Sequence, residues 1–301
     1  MKKLLTIIMA GALLLGPVTS SAQRNRQSND SRIPVVRAES KSDSTKKSPQ
    51  GPVSIEKFIT KEASKMDGMT TVYKQDGKYY LTIPDSLIGR DILMVSRVSQ
   101  SAADIRGSFS GYAGDQISSG LYKFEKGPDN KIFLRKVSVR ERSQDSIMSQ
   151  NILKSNLTPI IGSFPIKAWN EDKSLSIIDV TDFFNADSEV LYFSKSTKTS
   201  FKLGAQDKDK SYISSIRTYP INTEVTVVKT FARTTGGNAT YELNCSFVLL
   251  PEVPMTPRYY DERVGYFTTS YTDFDKNPHG VEKVQLITRW RLEPRPEDLE
   301  K

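Results

Sequence analysis

Turn signals recur along this chain between runs that alternate apolar and polar residues, and this constrains the fold more than any other feature. "TVYKQDGKYYLTI" reads as a hairpin around Gln75, Asp76 and Gly77. "GLYKFEKGPDNKIFLRKVSVRER" reads as another, turning over residues 127–130. "EVTVVKTFARTTGGNATYELNCSFVLL" turns at Gly236, Gly237 and Asn238, and "VGYFTTSYTDFDKNPHGVEKVQLITRWRLEP" turns between Asp275 and Gly280. An apolar run from Ile92 to Val98 adds a further strand. Helical patterns are sparse. "SIEKFITKEASKMDG" places Ile55, Phe58, Ile59 and Ala63 near helical spacing, with Ser54 as N-cap and Gly68 as stop. "PDSLIGR", "SQNILKSNL" and "VTDFFNAD" each suit a turn or two of helix. Strands are not followed regularly by helices, so the expected class is mainly β to α+β. The architecture this predicts is an antiparallel sandwich or partly open barrel built from hairpins, with a few short helices.

The N-terminus sets the compartment. Lys2 and Lys3 precede the apolar run "LLTIIMAGALLLG", and small residues at Ser20 and Ala22 make residues 1–22 an expected signal peptide. The run is too short for a comfortable membrane span, so none is expected once the leader is removed. The mature chain is expected to be exported, to the periplasm, the outer surface or the medium. Residues 23–52 are polar, Ser-rich and free of aromatics, and read as a disordered linker. The rest divides into a small N-terminal segment over 53–100, an antiparallel β domain over 101–293, and a connector from 294 to 301.

Net charge is +8, yet residues 23–52 hold seven basic side chains against three acidic ones, and the leader adds two lysines. The folded part is therefore near neutral and has no nucleic-acid footprint. The single cysteine, Cys245, excludes an intramolecular disulfide. It shares a strand face with Tyr241, Leu243, Phe247 and Leu249 and reads as a core residue.

Candidate chemistry is scarce. A protein zinc site takes three or four His, Cys, Asp or Glu ligands, but the chain has one histidine, His279, in the turn "KNPHG", and no HExxH. A Ser-His-Asp triad would need that same histidine, and there is no G-x-S-x-G elbow. The glycines of "GSFSGYAGDQ" fit neither a dinucleotide fingerprint nor a P-loop and suit a tight loop. Acidic residues are plentiful, but no spacing singles out a glycosidase pair. No catalytic or metal residue, and no cofactor, is assigned to this chain.

The last third is distinctive. "LPEVPMTPRYYDERVGYF" packs prolines, arginines and aromatics into one connection, with Arg258 and Arg263 able to reach Asp261, Glu262 or an external carboxylate. Tyr260, Tyr266 and Phe267 supply aromatic surface. "RWRLEP" alternates Trp290 and Leu292 with Arg289 and Arg291. That pattern suits either an edge strand with Trp inward and Arg solvated, or a docking surface, since Trp, Tyr and Arg are the residues that anchor interfaces.

These blocks, with "SGYAGDQISSGLYKFEK", resemble the N-terminal region of large exported bacterial zinc-dependent metallopeptidases, catalogued as two domains of unknown function. The resemblance runs from about Val53 to Lys301. It implies a catalytic domain following in cis, bearing HExxH and its zinc; on that reading the present chain stops short of the enzyme. Its own role would be accessory: docking, substrate positioning or assistance to folding, with peptide or protein as the substrate class. The contacts expected to serve are Arg258, Tyr260, Asp261, Arg263, Tyr266, Phe267, Arg289, Trp290 and Arg291. The alternative is a free-standing exported β module that binds peptide or glycan.

Overall fold

The computed structural model describes residues 51–103, 105, 110–277, 279–290 and 292. The leader, nearly all of the linker, Arg291 and the connector lie outside the described residues. In chain order the elements are β1 (Val53–Ser54), α1 (Ile55–Phe58), β2 (Ser64–Met66), β3 (Val72–Gln75), β4 (Lys78–Pro84), β5 (Ile92–Gln100), β6 (Gln116–Gly127), β7 (Lys131–Val137), β8 (Glu141–Arg142) and α2 (Ser146–Ser155). They continue as β9 (Ile160–Trp169), β10 (Leu175–Asp179), α3 (Thr181–Asn185), α4 (Lys195–Ser200), β11 (Leu203–Thr218), β12 (Asn222–Arg233), β13 (Asn238–Leu249), β14 (Thr268–Asn277) and β15 (Gly280–Ile287).

Twelve strands form one sheet in the order β11-β12-β13-β5-β6-β7-β9-β10-β4-β3-β2, with β1 added at β9. All its pairings are antiparallel except that of β1 with β9. The fold is therefore the mainly β, antiparallel one the hairpin pattern predicts, with four short helices among the described residues. The turns form because their residues accept left-handed backbone: Asp76 and Gly77 lie at φ 50° and 73°, and Asp129 and Asn130 at 54° and 52°.

A twisted sheet of this width curls on itself. Its two ends meet without closing a barrel: the Met69 amide donates to the Tyr219 carbonyl at 2.6 Å, and Thr70 Oγ1 lies 3.3 Å from Thr223 Oγ1. Gly68 makes this approach possible. A Cβ there would fall 2.4 Å from Thr218 Oγ1 and 2.7 Å from the Tyr219 nitrogen.

The concave face holds the core, with Ile83, Ile92, Met94, Ile132, Val225, Val227 and Leu243 all buried. Phe193 meets Phe201 and Tyr241 edge to face, and Phe164, Phe183, Phe184 and Phe247 follow one another in edge-to-face contacts. Cys245 is fully buried among them, and burial pushes its thiol up to about 12. Lys229 is buried too. Its Nζ donates to the carbonyls of Phe184, Asn185 and Ala186 at 2.8, 2.6 and 3.1 Å, capping the C-terminal end of α3.

The helix expected from Ser54 to Gly68 is corrected to the four residues of α1. Ser54 makes no side-chain cap, the Thr60 amide donates to Gln75 Oε1, and Ser64–Met66 pairs with β3 instead. Ile55, Phe58 and Ile59 pack beside Tyr80, Ala168 and Ile177, so sheet contact rather than helical periodicity explains their spacing.

Candidate functional site

Beside the large sheet lies a three-stranded one, ordered β15-β14-β8. The segment before β14 adds to its far side: the Tyr260 amide donates to the Gln285 carbonyl at 3.0 Å, and the Ile287 amide to the Arg258 carbonyl at 2.8 Å. β8 pairs in parallel with β14 over two residues, Glu141 with Thr272 and Arg142 with Asp273.

Between this small sheet, α2 and the end of β7 lies a cleft of about 530 Å³. One face of the sheet supplies Tyr259, Tyr271, Asp273 and Asp275; α2 supplies Ser149, Ile152, Leu153 and Asn156; Lys123, Lys136, Glu141 and Arg142 complete the wall. Asp145 fixes α2 by accepting from the Met148 amide at 2.7 Å.

The charged groups of the cleft are mostly engaged. Asp275 accepts from the Ser143 hydroxyl at 2.5 Å and from the Gln144 amide, and these bonds hold its carboxyl below the usual range. Asp273 Oδ1 accepts from the amides of Asp275 and Lys276 at 2.9 and 3.2 Å. Glu141 accepts from the Asn156 side chain. Arg142 stacks on the Tyr271 ring, 4.4 Å from its centroid. The Tyr271 hydroxyl is raised, first by burial and then by Asp273. Such a cleft offers tyrosine faces, hydroxyls and fixed charges, which suits binding of a polar chain. Neither His279 nor Cys245 lines it, and among the described residues no group of three or more His, Cys, Asp or Glu is arranged to hold a metal.

The expected contact residues lie mainly outside the cleft. Arg263 forks onto Asp261 next to it, Nε to Oδ1 at 2.8 Å and Nη2 to Oδ2 at 2.6 Å, with the guanidinium in solvent. Tyr260 faces a shallow pocket with Lys276, Lys283 and Gln285 on the other side of the sheet. Arg258 is exposed and makes no ion pair among the described residues. Arg289 donates to the Thr256 carbonyl at 2.7 Å. Tyr266 is exposed, and Phe267 and Trp290 are each 85% exposed. The inward orientation weighed for Trp290 is thereby overturned: β15 ends at Ile287, and Trp290 lies beyond its pairing with β14. Arg291 lies outside the described residues.

Tyr271 and Arg142 were not singled out by sequence, and "SQNILKSNL" was read as a short helix, now part of α2, but not as a wall of the cleft. Tyr271 carried a signal in the alternation of "SYTDFD". Arg142 carried none, because its partner lies in a strand far along the chain.

Residues 114–295, more than half of the chain, match the family model described as Domain of unknown function (DUF5117). Residues 52–101 match the one described as Domain of unknown function (DUF5118). No curated protein and no solved structure matches the chain. With seven of the large sheet's twelve strands and the whole three-stranded sheet lying within the longer match, the chain belongs to the DUF5117 family.

Proposed function

We propose that this chain is the non-catalytic accessory region of an exported zinc-dependent metallopeptidase, and that it docks on the catalytic domain. One observation carries the reading. Around the small sheet, Phe267 and Trp290 are each 85% exposed and Leu292 is 89% exposed, beside exposed Val264 and Tyr266. A soluble monomer rarely leaves so many large apolar side chains together in water, and Trp, Tyr and Phe are the anchors of protein interfaces. The blocks "PMTPRYYDERVGYF" and "RWRLEP" that resemble the metallopeptidase N-terminal region hold all five of these residues.

The described residues do not fit a zinc site, since no three donors converge. Zinc belongs in this reading to the partner domain, and no catalytic step is assigned here. The purified chain should bind no stoichiometric zinc by elemental analysis and should leave casein intact. Stoichiometric zinc with chelator-sensitive casein cleavage would refute the proposal.

The cleft favours a second reading, a stand-alone exported module for peptide or glycan. Tyr259 and Tyr271 line it with hydroxyl, amide and charged groups, the mixture that fixes polar ligands. A stand-alone module should be monodisperse in light scattering and bind little apolar dye. A chain built to dock should bind dye and associate.

A further inference from the structure

We infer that the outer edge of β14 is a docking edge for an extended, acidic polypeptide segment, which would add to the small sheet as a further strand. This edge is distinct from the aromatic docking face proposed above and would remain if that reading failed.

The backbone sets the edge. The Thr288 amide donates to the Phe267 carbonyl at 2.9 Å, which turns Phe267 and every second residue after it toward β15. The Thr272 amide donates instead to the Arg140 carbonyl at 2.7 Å, away from β15. By the same alternation Thr268 and Ser270 direct their amides and carbonyls outward. β8 covers only Thr272 and Asp273, and nothing among the described residues pairs with Thr268 or Ser270 on that side. An incoming strand would continue the ladder that β8 begins.

The composition of the edge points the same way. "FTTSY" is rich in β-branched and aromatic residues and has no charge, proline or glycine. The edge strand β11 is protected in the opposite manner, with Asp207, Lys208, Asp209 and Lys210 and a register shift between Asp207 and Tyr212. A chain that guards one edge in this way and leaves another unprotected leaves the second open to an added strand.

Charge selects the occupant. Lys136, Arg140 and Arg142 flank the β8 end, and none has a carboxylate within ion-pair distance among the described residues. The carboxylates on this flank, Glu141, Asp273 and Asp275, stay charged but accept their hydrogen bonds from Asn156, local backbone amides and Ser143 rather than from these cations. Lys136 and Arg140, which carry no ion pair among the described residues, fit acidic side chains on an extended main chain, while Arg142 is held on the Tyr271 ring.

The test is fluorescence anisotropy on the purified chain. The probes are a fluorescein-labelled octapeptide alternating glutamate with valine and threonine, and its lysine counterpart. The acidic probe should bind saturably, and the lysine probe roughly tenfold more weakly or not at all. Ser270→Pro, which removes one outward amide at a position where a sheet edge tolerates proline, should weaken the acidic probe by roughly tenfold or more. Should that variant fail to fold, amide exchange on the wild type replaces it: the Thr268 and Ser270 amides should slow when the acidic probe is added. Four results overturn the inference: no saturable binding, equal binding of both probes, binding or exchange indifferent to this edge, or wild-type dimers that Ser270→Pro dissociates. The last would show that a second copy covers the edge.

Discussion

Replacing Lys229 with methionine keeps the length and apolar stem of the side chain and removes its ammonium. The ammonium now serves three carbonyls at the end of α3, those of Phe184, Asn185 and Ala186, and lies 4.8 Å from the centre of the Tyr192 ring. Hydrogen bonds from a charged donor contribute about 2 kcal/mol each, so three amount to about 6 kcal/mol. Burial opposes this. It lowers the Lys229 pKa from 10.5 to about 8, with Asp187 pulling the other way. A shift of that size corresponds to about 3 kcal/mol of desolvation. Lys229→Met should therefore destabilise the fold by about 3 kcal/mol at pH 7. The pH dependence has a definite sign. The folded pKa lies below the unfolded one, so between about 8 and 10.5 the unfolded chain binds the extra proton and native stability rises with pH. That contribution is complete above the unfolded pKa and is lost as pH falls through about 8. The methionine variant has no such group, so the difference between the proteins should widen by about 2 kcal/mol from pH 7 to pH 9.5. Urea unfolding followed by circular dichroism at both pH values measures it. A variant as stable as wild type, or a difference that does not grow with pH, would refute the reasoning.

Two further outcomes test the packing. Cys245 should resist a thiol reagent in the native protein and react fully in urea, because burial both shields it and raises its pKa to about 12; fast native labelling would contradict this. Gly68→Ala should cost about 2 kcal/mol, read as a lowered melting temperature, because its Cβ would meet the Tyr219 backbone at 2.7 Å where the sheet ends approach.

The hairpins were legible because each turn is a local chemical requirement. Asp76-Gly77 and Asp129-Asn130 accept positive φ, and the runs on either side alternate. Cys245 was legible for the same reason, since its strand keeps period two. The segment after Ser54 was misread because Ile55, Phe58 and Ile59 have helical spacing but are held by Tyr80 and its neighbours, which local sequence does not show. The exposed aromatics around Phe267 could be named from composition alone. The cleft could not: it depends on Ser143 meeting Asp275 and Arg142 meeting Tyr271, contacts between distant parts of the chain. Trp290 looked like a strand residue by alternation, yet the ladder ends before it. The order of side chains was readable, and the end of pairing was not.

The most direct test of the accessory role is calorimetric titration of the purified chain with a catalytic domain from the resembled metallopeptidases, using wild type and the Phe267→Ala/Trp290→Ala double variant. The account predicts saturable one-to-one binding by wild type and an affinity lower by about a hundredfold in the variant, the loss of two aromatic anchors. No binding by wild type, or equal binding by both proteins, would contradict it.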